Sequence, residues 1–484
     1  MITNLTQSQK DYAIYLPAIG FYYTQFIGKQ RYSEYVPYDR IPKHLTCGVE
    51  SLNYLEPQAS LWNYKWSLYS AGNANLDTTK TVVNEDQTRN RDRNNSWLLG
   101  DSGGFQIASG KWPGDWRKGS NCAKAELKRE QVLTWLDTYM DYGIILDIPT
   151  WVMNSPETRE ATGITSFKEA LDATVYNNEY FINNRNGNCK FLNVIQGGNY
   201  AESDSWYESV KHFCDPKQFP GTHFNGWAFG NQNCADIQLV LKRLVTMIHD
   251  GLLQEGVHDL LHVLGVGKVE WGILLTTIQR AIRKYHNKNF TITMDSASPF
   301  LCTANGGQYT HNELEHNSKW KYVANQAPNT KDLAHDTQLW DTLCKQLYKE
   351  WNPSPVTQGL RVNEVCIKKP GDLNGNGKES KTAWDNFSYC LLMNHNVYSH
   401  IRSIQIANEL QDQGLYPAST VNNTFDTTSM TSIINQVFAC KNKQQALDII
   451  EYNQKLWLQT PGSMRSKVGV KTINATTQFN ALFD

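Results

Sequence analysis

Two aspartates stand where chemistry can be done: Asp101 in Trp97-Leu-Leu-Gly-Asp-Ser-Gly-Gly-Phe-Gln106, and Asp295 in Phe290-Thr-Ile-Thr-Met-Asp-Ser-Ala-Ser-Pro299. Each closes an apolar run that reads as a buried strand and opens a turn of small residues. Carboxylates on the C-terminal ends of different parallel strands converge on one face of a (β/α) barrel, the face where such barrels keep their chemistry. A carboxylate beneath a sugar C1′ can capture an oxocarbenium-like centre covalently, and a second carboxyl can handle the protons of the leaving and arriving groups. Substitution at a sugar carbon is therefore the first reaction class the pair suggests. Taken singly, each residue also has a structural reading: Asp101 as a turn or N-cap aspartate, Asp295 as a strand-end cap.

The elements that must position this pair follow a βαβα alternation, with apolar runs ending in Gly, Asp or Pro between longer segments of helical spacing. The pattern predicts strands at 96–99, Ile144-Ile-Leu-Asp-Ile-Pro149, Lys190-Phe-Leu-Asn-Val-Ile-Gln-Gly-Gly198, Gly226-Trp-Ala-Phe-Gly230, Asp259-Leu-Leu-His-Val-Leu-Gly-Val-Gly267 and 290–295. Helices are predicted over 123–142, 167–184, 203–213, 235–253 and 271–284. Six strands in series point to a parallel barrel, so the expected fold class is α/β, a (β/α)8 TIM-like barrel. The aromatic-rich segment before Trp97 should add the first strand or strands. Residues 1–310 are expected to form the catalytic core, 311–383 an irregular insertion, and 384–484 C-terminal helices, patterned over 384–411 and 432–457. Asp372-Leu-Asn-Gly-Asn-Gly377 imitates the start of a calcium loop, but Ala383 stands where a bidentate glutamate is required, which makes it a turn.

Composition sets the outer limits. A barrel of roughly 250 residues plus an appended piece accounts for 484 residues. No apolar run approaches the roughly 20 residues of a membrane span, and the N-terminus lacks a signal pattern, so a soluble, cytoplasmic protein without membrane contact is expected. Ten scattered cysteines indicate neither a disulfide framework nor a short-spaced zinc knuckle. A formal charge of −1 argues against indiscriminate polyanion binding, although 46 basic residues can still be segregated onto one face.

Asp101-Ser-Gly-Gly-Phe-Gln106, Val194-Ile-Gln-Gly-Gly198, Gly226-Trp-Ala-Phe-Gly230, Leu264-Gly-Val-Gly267 and Met294-Asp-Ser-Ala-Ser-Pro299 followed by Asn305-Gly306 occur in an order and spacing that resembles the tRNA-guanine transglycosylases. The resemblance covers residues 96–310, with an echo at Met393-Asn-His-Asn-Val-Tyr398. It implies that Asp295 is the nucleophile and Asp101 the acid/base residue of a base exchange. It further implies a purine pocket in which Asp147 and Gln196 bond the guanine-like edge, Ser102, Gly197, Gly230 and Gly265 lie alongside, and Phe105 and Leu264 sandwich the ring. Phe105 has core packing as its ordinary alternative. An aspartate at 147, inside an apolar run, would be costly if buried without partners.

The departures from the family bear on the polymer. The two arginines that read bases flanking the target are replaced by Leu301 and Ala304. The clustered cysteine zinc site is not found, and only lone cysteines such as Cys344, Cys366 and Cys390 follow, so no metal and no cofactor are expected. Asn231 replaces a second glycine after Gly230, and Asp236 stands near a glutamate position of the family. These losses resemble the DNA-modifying branch, encoded by phages or bacterial modification clusters, in which guanine in DNA is replaced by a 7-deazaguanine such as 7-cyano-7-deazaguanine. DNA and the free deazapurine base are then the partners, with a homo-oligomer or an accessory protein left open, in the host cytoplasm if phage-encoded. A duplex guanine must be flipped out, at a cost of a few kcal/mol, which calls for phosphate and stacking contacts. Arg89, Arg91, Arg93, Lys111, Trp112, Trp116, Arg117 and Lys118 are candidates, with Arg465, Lys467 and Lys471 a weaker group. Three alternatives stand beside this reading: a tRNA-guanine transglycosylase with altered RNA reading, a glycosidase-type hydrolase, and a catalytically silent nucleic-acid-binding partner subunit.

Overall fold

The computed structural model describes residues 1–234, 236–367, 373, 383–421 and 429–460. Eight parallel strands close into one barrel in sequence order: β1 (Ile14–Ile19), β2 (Trp66–Ser70), β3 (Trp97–Asp101), β4 (Tyr142–Ile144), β5 (Lys190–Ile195), β6 (Gly226–Phe229), β7 (Leu260–Val263) and β8 (Thr291–Ser296). The expected TIM-like (β/α)8 fold is thus the observed one. Strands covered on both sides have to be apolar nearly throughout, and Leu98, Leu99, Phe191, Leu192, Trp227 and Phe229 are fully buried. The two strands that the pattern did not resolve are β1 and β2, which come from the aromatic-rich segment before Trp97. Closure is made by β1 against β8, with Leu16 in register with Asp295, and β2 sets Ser70 beside Asp101 on β3.

The helices start where capping chemistry allows. Ser166, Asn199 and Asp236 each accept a backbone N–H of the first turn, opening the helices Phe167–Asn184, Tyr200–Val210 and Ile237–His249. Among the described residues no helix is long and apolar enough to cross a membrane.

After β8 the structure is more regular than the fading periodicity suggests. The helix Ser298–Ala304 leads into an antiparallel hairpin, β9 (Gly307–Glu313) and β10 (Lys321–Gln326), then the helix Trp340–Leu347. The hairpin begins inside the segment assigned to the barrel core. Its β10 is largely exposed and its register shifts between Val323 and Ala324, which erases the alternation that would have announced it. The calcium-like segment around Asp372 and the basic group Arg465, Lys467 and Lys471 lie outside the described residues apart from Leu373.

The helix Asn386–Asp412, capped by Asp385, packs on the helices Val269–Tyr285 and Ser298–Ala304 and on β9, and is buried along most of its length. Asn396 on it donates to Thr303 Oγ1 at 2.8 Å and accepts from the Tyr309 N–H at 2.8 Å, tying the helix that follows Asp295 to the hairpin. Further helices, Met430–Ala439 and Lys443–Tyr452, pack on the outer helices Val269–Tyr285 and Ile237–His249.

Candidate active site

Asp101 is the last residue of β3 and Asp295 the last but one of β8, so both carboxylates open onto the C-terminal mouth of the barrel. They are close enough for the Asp295 charge to act on Asp101. Their surroundings differ. Asp101 Oδ2 accepts from the Ser70 hydroxyl at 2.5 Å. Burial pushes its carboxyl above the usual aspartate range; the Ser70 bond works against that shift, and the neighbouring Asp295 charge adds to it. Asp295 Oδ1 accepts the Gly265 N–H at 2.7 Å and faces His262 Nε2 at 3.1 Å, while among the described residues Oδ2 has no hydrogen bond. A carboxylate only accepts, so His262 carries a proton on Nε2, and its Nδ1 lies 2.9 Å from the Thr293 hydroxyl. The Gly265 N–H can reach Asp295 because φ there is +69°, a left-handed turn that glycine adopts without strain.

A second polar pair lies deeper. Asp147 and Gln196, 5% and 4% exposed, are joined by Gln196 Nε2 donating to Asp147 Oδ2 at 2.7 Å. Burial raises the Asp147 carboxyl to about 7, opposed by the Gln196 bond and reinforced by the Asp101 charge. Gln196 Oε1 is buried without a hydrogen-bond partner, an acceptor kept unused. Gly230 lets the amide sit there, since a Cβ at that position would be 2.6 Å from Gln196 Nε2. Ser102 turns inward and donates to Ile145 O at 2.9 Å, Gly197 opens a turn packed against Ser203, and Leu264 is half-buried. The half-buried Phe105 ring meets Trp151 at 5.5 Å. A buried carboxyl, an unused amide oxygen and flanking apolar surface can hold a planar, donor- and acceptor-rich base.

Ser70 and His262 were missed by sequence reasoning. The signal for His262 was present: it is the one ionisable side chain in the run Leu260-Leu-His-Val-Leu264. Ser70 becomes visible only once β2 is registered against β3.

The nucleic-acid candidates divide, and four need correcting. Arg91 is buried and donates to Asp141 Oδ2 at 2.8 Å and Tyr139 O at 2.7 Å. Because Asp141 also accepts the Leu98 N–H at the start of β3, this cluster sits at the N-terminal end of the barrel, away from the mouth. Arg93, donating to Thr138 O, lies at that same end. Arg89 is spent on Glu85 and Tyr139, and Trp116 is 1% exposed, a core side chain with no face for a base. Arg117 pairs with Asp115 and Lys118 with Glu179, both at the surface. Lys111 is exposed and Trp112 half-buried beside the mouth.

The residues that follow β8 do not fit the zinc of the transglycosylases. His395 faces Ser354 Oγ with Nδ1 and Tyr309 O with Nε2, each at 2.8 Å, so both ring nitrogens are engaged. Cys344, Cys366 and Cys390 are buried on separate segments, and burial drives the first two thiols up to about 12. Among the described residues no group of three or more His, Cys, Asp or Glu is placed to hold a metal. No protein-family model matches the sequence, and no curated protein is similar enough to match it.

Proposed function

We propose that this chain is a DNA-guanine transglycosylase that exchanges guanine in DNA for a 7-deazaguanine derivative, such as 7-cyano-7-deazaguanine, through a glycosyl ester on Asp295. The observation that carries the reading is the pair of carboxyls at one mouth in unlike settings: Asp101 buried and pushed toward its protonated form, Asp295 with a donor-held Oδ1 and an unencumbered Oδ2. In the first half-reaction Asp295 Oδ2 attacks C1′ as the bond from C1′ to guanine N9 breaks. Its electron pair leaves with the purine, which takes a proton from Asp101. In the second half, Asp101 accepts the N9 proton of the incoming base, whose nitrogen attacks C1′ and returns Asp295 as a carboxylate. Asp147 and Gln196 hold the base edge in both halves. Replacement of the two flanking arginines by Leu301 and Ala304 favours DNA over an anticodon loop.

The test is incorporation of radiolabelled guanine into double-stranded DNA and, in parallel, into bulk tRNA, with Asp295→Ala as control. Label in DNA that vanishes in the variant is expected, because guanine exchange needs no guess about the modified base. Label confined to tRNA would move the reading to the tRNA enzymes. Wild-type exchange by Asp295→Ala would remove Asp295 from the nucleophile role.

A further inference from the structure

Beside Asp101 lies a cleft of about 390 Å³, lined among others by Gly72, Asn75, Lys80, Trp112, Lys128 and Gln131. Its wall is continuous with the catalytic pair. The Ala71 N–H donates to Asp101 O at 2.8 Å, and the Gly72 N–H donates to the same Ser70 hydroxyl that holds the Asp101 carboxyl. The Trp112 ring lies directly against Gly103, two residues past Asp101. The amide of Gln106, 6% exposed, is wedged against Gly72, and its Oε1 has no hydrogen bond.

The charges in this cleft are unbalanced. Lys128, half-buried on the helix Ala123–Tyr139, holds its Nζ 4.8 Å from the centre of the Trp112 ring and 3.3 Å from Gln131 Oε1. Among the described residues no carboxylate lies within ion-pair distance of it. The one carboxylate lining the cleft, Asp77, is occupied by Lys80 at 3.1 Å and by the Thr79 hydroxyl at 2.6 Å. A partly desolvated ammonium without a counter-ion is costly unless an anion arrives to meet it. An indole, two primary amides and a second lysine around that ammonium are the parts that hold a nucleotide: a phosphate on the cations and a base on the indole.

We propose that this cleft is the subsite for the nucleotide adjoining the exchanged one on the same strand, its phosphate paired with Lys128 and Lys80 and its base against Trp112. The proposal rests on base exchange at Asp295, and it adds a place for the neighbouring nucleotide that Leu301 and Ala304 do not supply.

The experiment measures binding and exchange separately on a fluorescein-labelled single-stranded DNA with one guanine, either intact or abasic at each neighbouring position. Trp112→Ala and Lys128→Met are each expected to weaken binding about tenfold, with a matching rise in KM for DNA and a KM for free guanine within about twofold of wild type. Loss of Lys128 flattens the dependence of log affinity on log salt by about 1, and Lys128→Arg restores it. The Trp112→Ala defect disappears on the strand that is abasic at the adjoining position. Exchange by wild type, with binding and KM unchanged in both variants, overturns the cleft alone. DNA binding without exchange by wild type, weakened in the variants, overturns base exchange and leaves the cleft as a nucleic-acid subsite. No DNA binding by wild type overturns both.

Discussion

At the N-terminal end of the barrel the buried Arg91 is met by Asp141 and by the carbonyls of Tyr139 and Thr88, whereas at the C-terminal mouth Asp101, Asp147 and Asp295 converge with no lysine or arginine in ion-pair distance among the described residues. The first arrangement meets a buried charge with a carboxylate and two carbonyls, leaving only the buried Arg91 Nε without a hydrogen bond. The second satisfies its carboxyls with a hydroxyl, an amide and an imidazole, and leaves Asp295 Oδ2 and Gln196 Oε1 unused. Burial apart from cations raises the proton affinities of Asp101 and Asp147, which is a setting for chemistry and a poor one for stability.

Exchanging the two ends' roles by mutation should break this contrast in a fixed order. The largest effect is expected at Asp101: Asp101→Asn keeps the acceptor for Ser70 but cannot shuttle a proton, so kcat for guanine exchange falls by about 10²–10⁴ with melting temperature little changed. A loss below tenfold would remove Asp101 from the proton path. At the other end, Arg91→Met strands Asp141 and the two carbonyls. Denaturant unfolding should then show a loss of about 3 kcal/mol, the low end for a broken buried pair because Asp141 is partly exposed, with kcat of the folded fraction unchanged.

The Asp147 prediction concerns pH. With its carboxyl raised to about 7, it is protonated below that pH and ionised above it. A guanine edge offers N–H donors, which a carboxylate accepts and a protonated carboxyl accepts less well. The KM for guanine should therefore fall about tenfold between pH 6 and pH 8, and Asp147→Asn should flatten the profile. The same shift has a stability consequence. The folded state keeps a proton that the unfolded chain releases near pH 4, so stability declines as pH rises from about 4 to 7 and then levels off. The advantage of Asp147→Asn over wild type in thermal stability should thus grow across that window and persist above it.

The smallest effect is assigned to His262, a positioning residue that touches Asp295 and neither Asp147 nor Gln196. His262→Phe removes one of two donors to Asp295 Oδ1, and kcat should drop about tenfold, the worth of one hydrogen bond to a charged group. Trapping of the glycosyl ester should slow in parallel, while KM for guanine stays put. A change in KM alone would assign His262 to the base pocket.

Asp101 and Asp295 were legible in the sequence because each is a carboxylate that ends an apolar run, and six of the eight strands were legible for the same reason, although β4 ends at Ile144, where the expected strand began, and leaves Asp147 in the loop beyond it. β1 escaped because Pro17 interrupts it and β2 because Trp66-Ser-Leu-Tyr-Ser70 is too polar to read as a buried run, yet both close the barrel. Ser70 acquires meaning only from its register with Asp101, a relation that no local window contains. The arginine-rich segment before β3 misled in the opposite direction. A cluster of like charges reads as a phosphate-contacting patch until Asp141, fifty residues further on, folds back onto Arg91.

Asn396 adds a question of timing. The helix that follows Asp295 is moored from a residue about one hundred positions later in the chain, and the barrel itself is not sealed until β8 returns to β1. On the ribosome, domains assemble from the N-terminus as chain emerges. A nascent polypeptide that has released all eight strands would still lack the mooring for the segment beside Asp295. If Asp295 reacts as proposed, competence to form a covalent bond would then arrive late in synthesis, after the scaffold that must restrain it is already built.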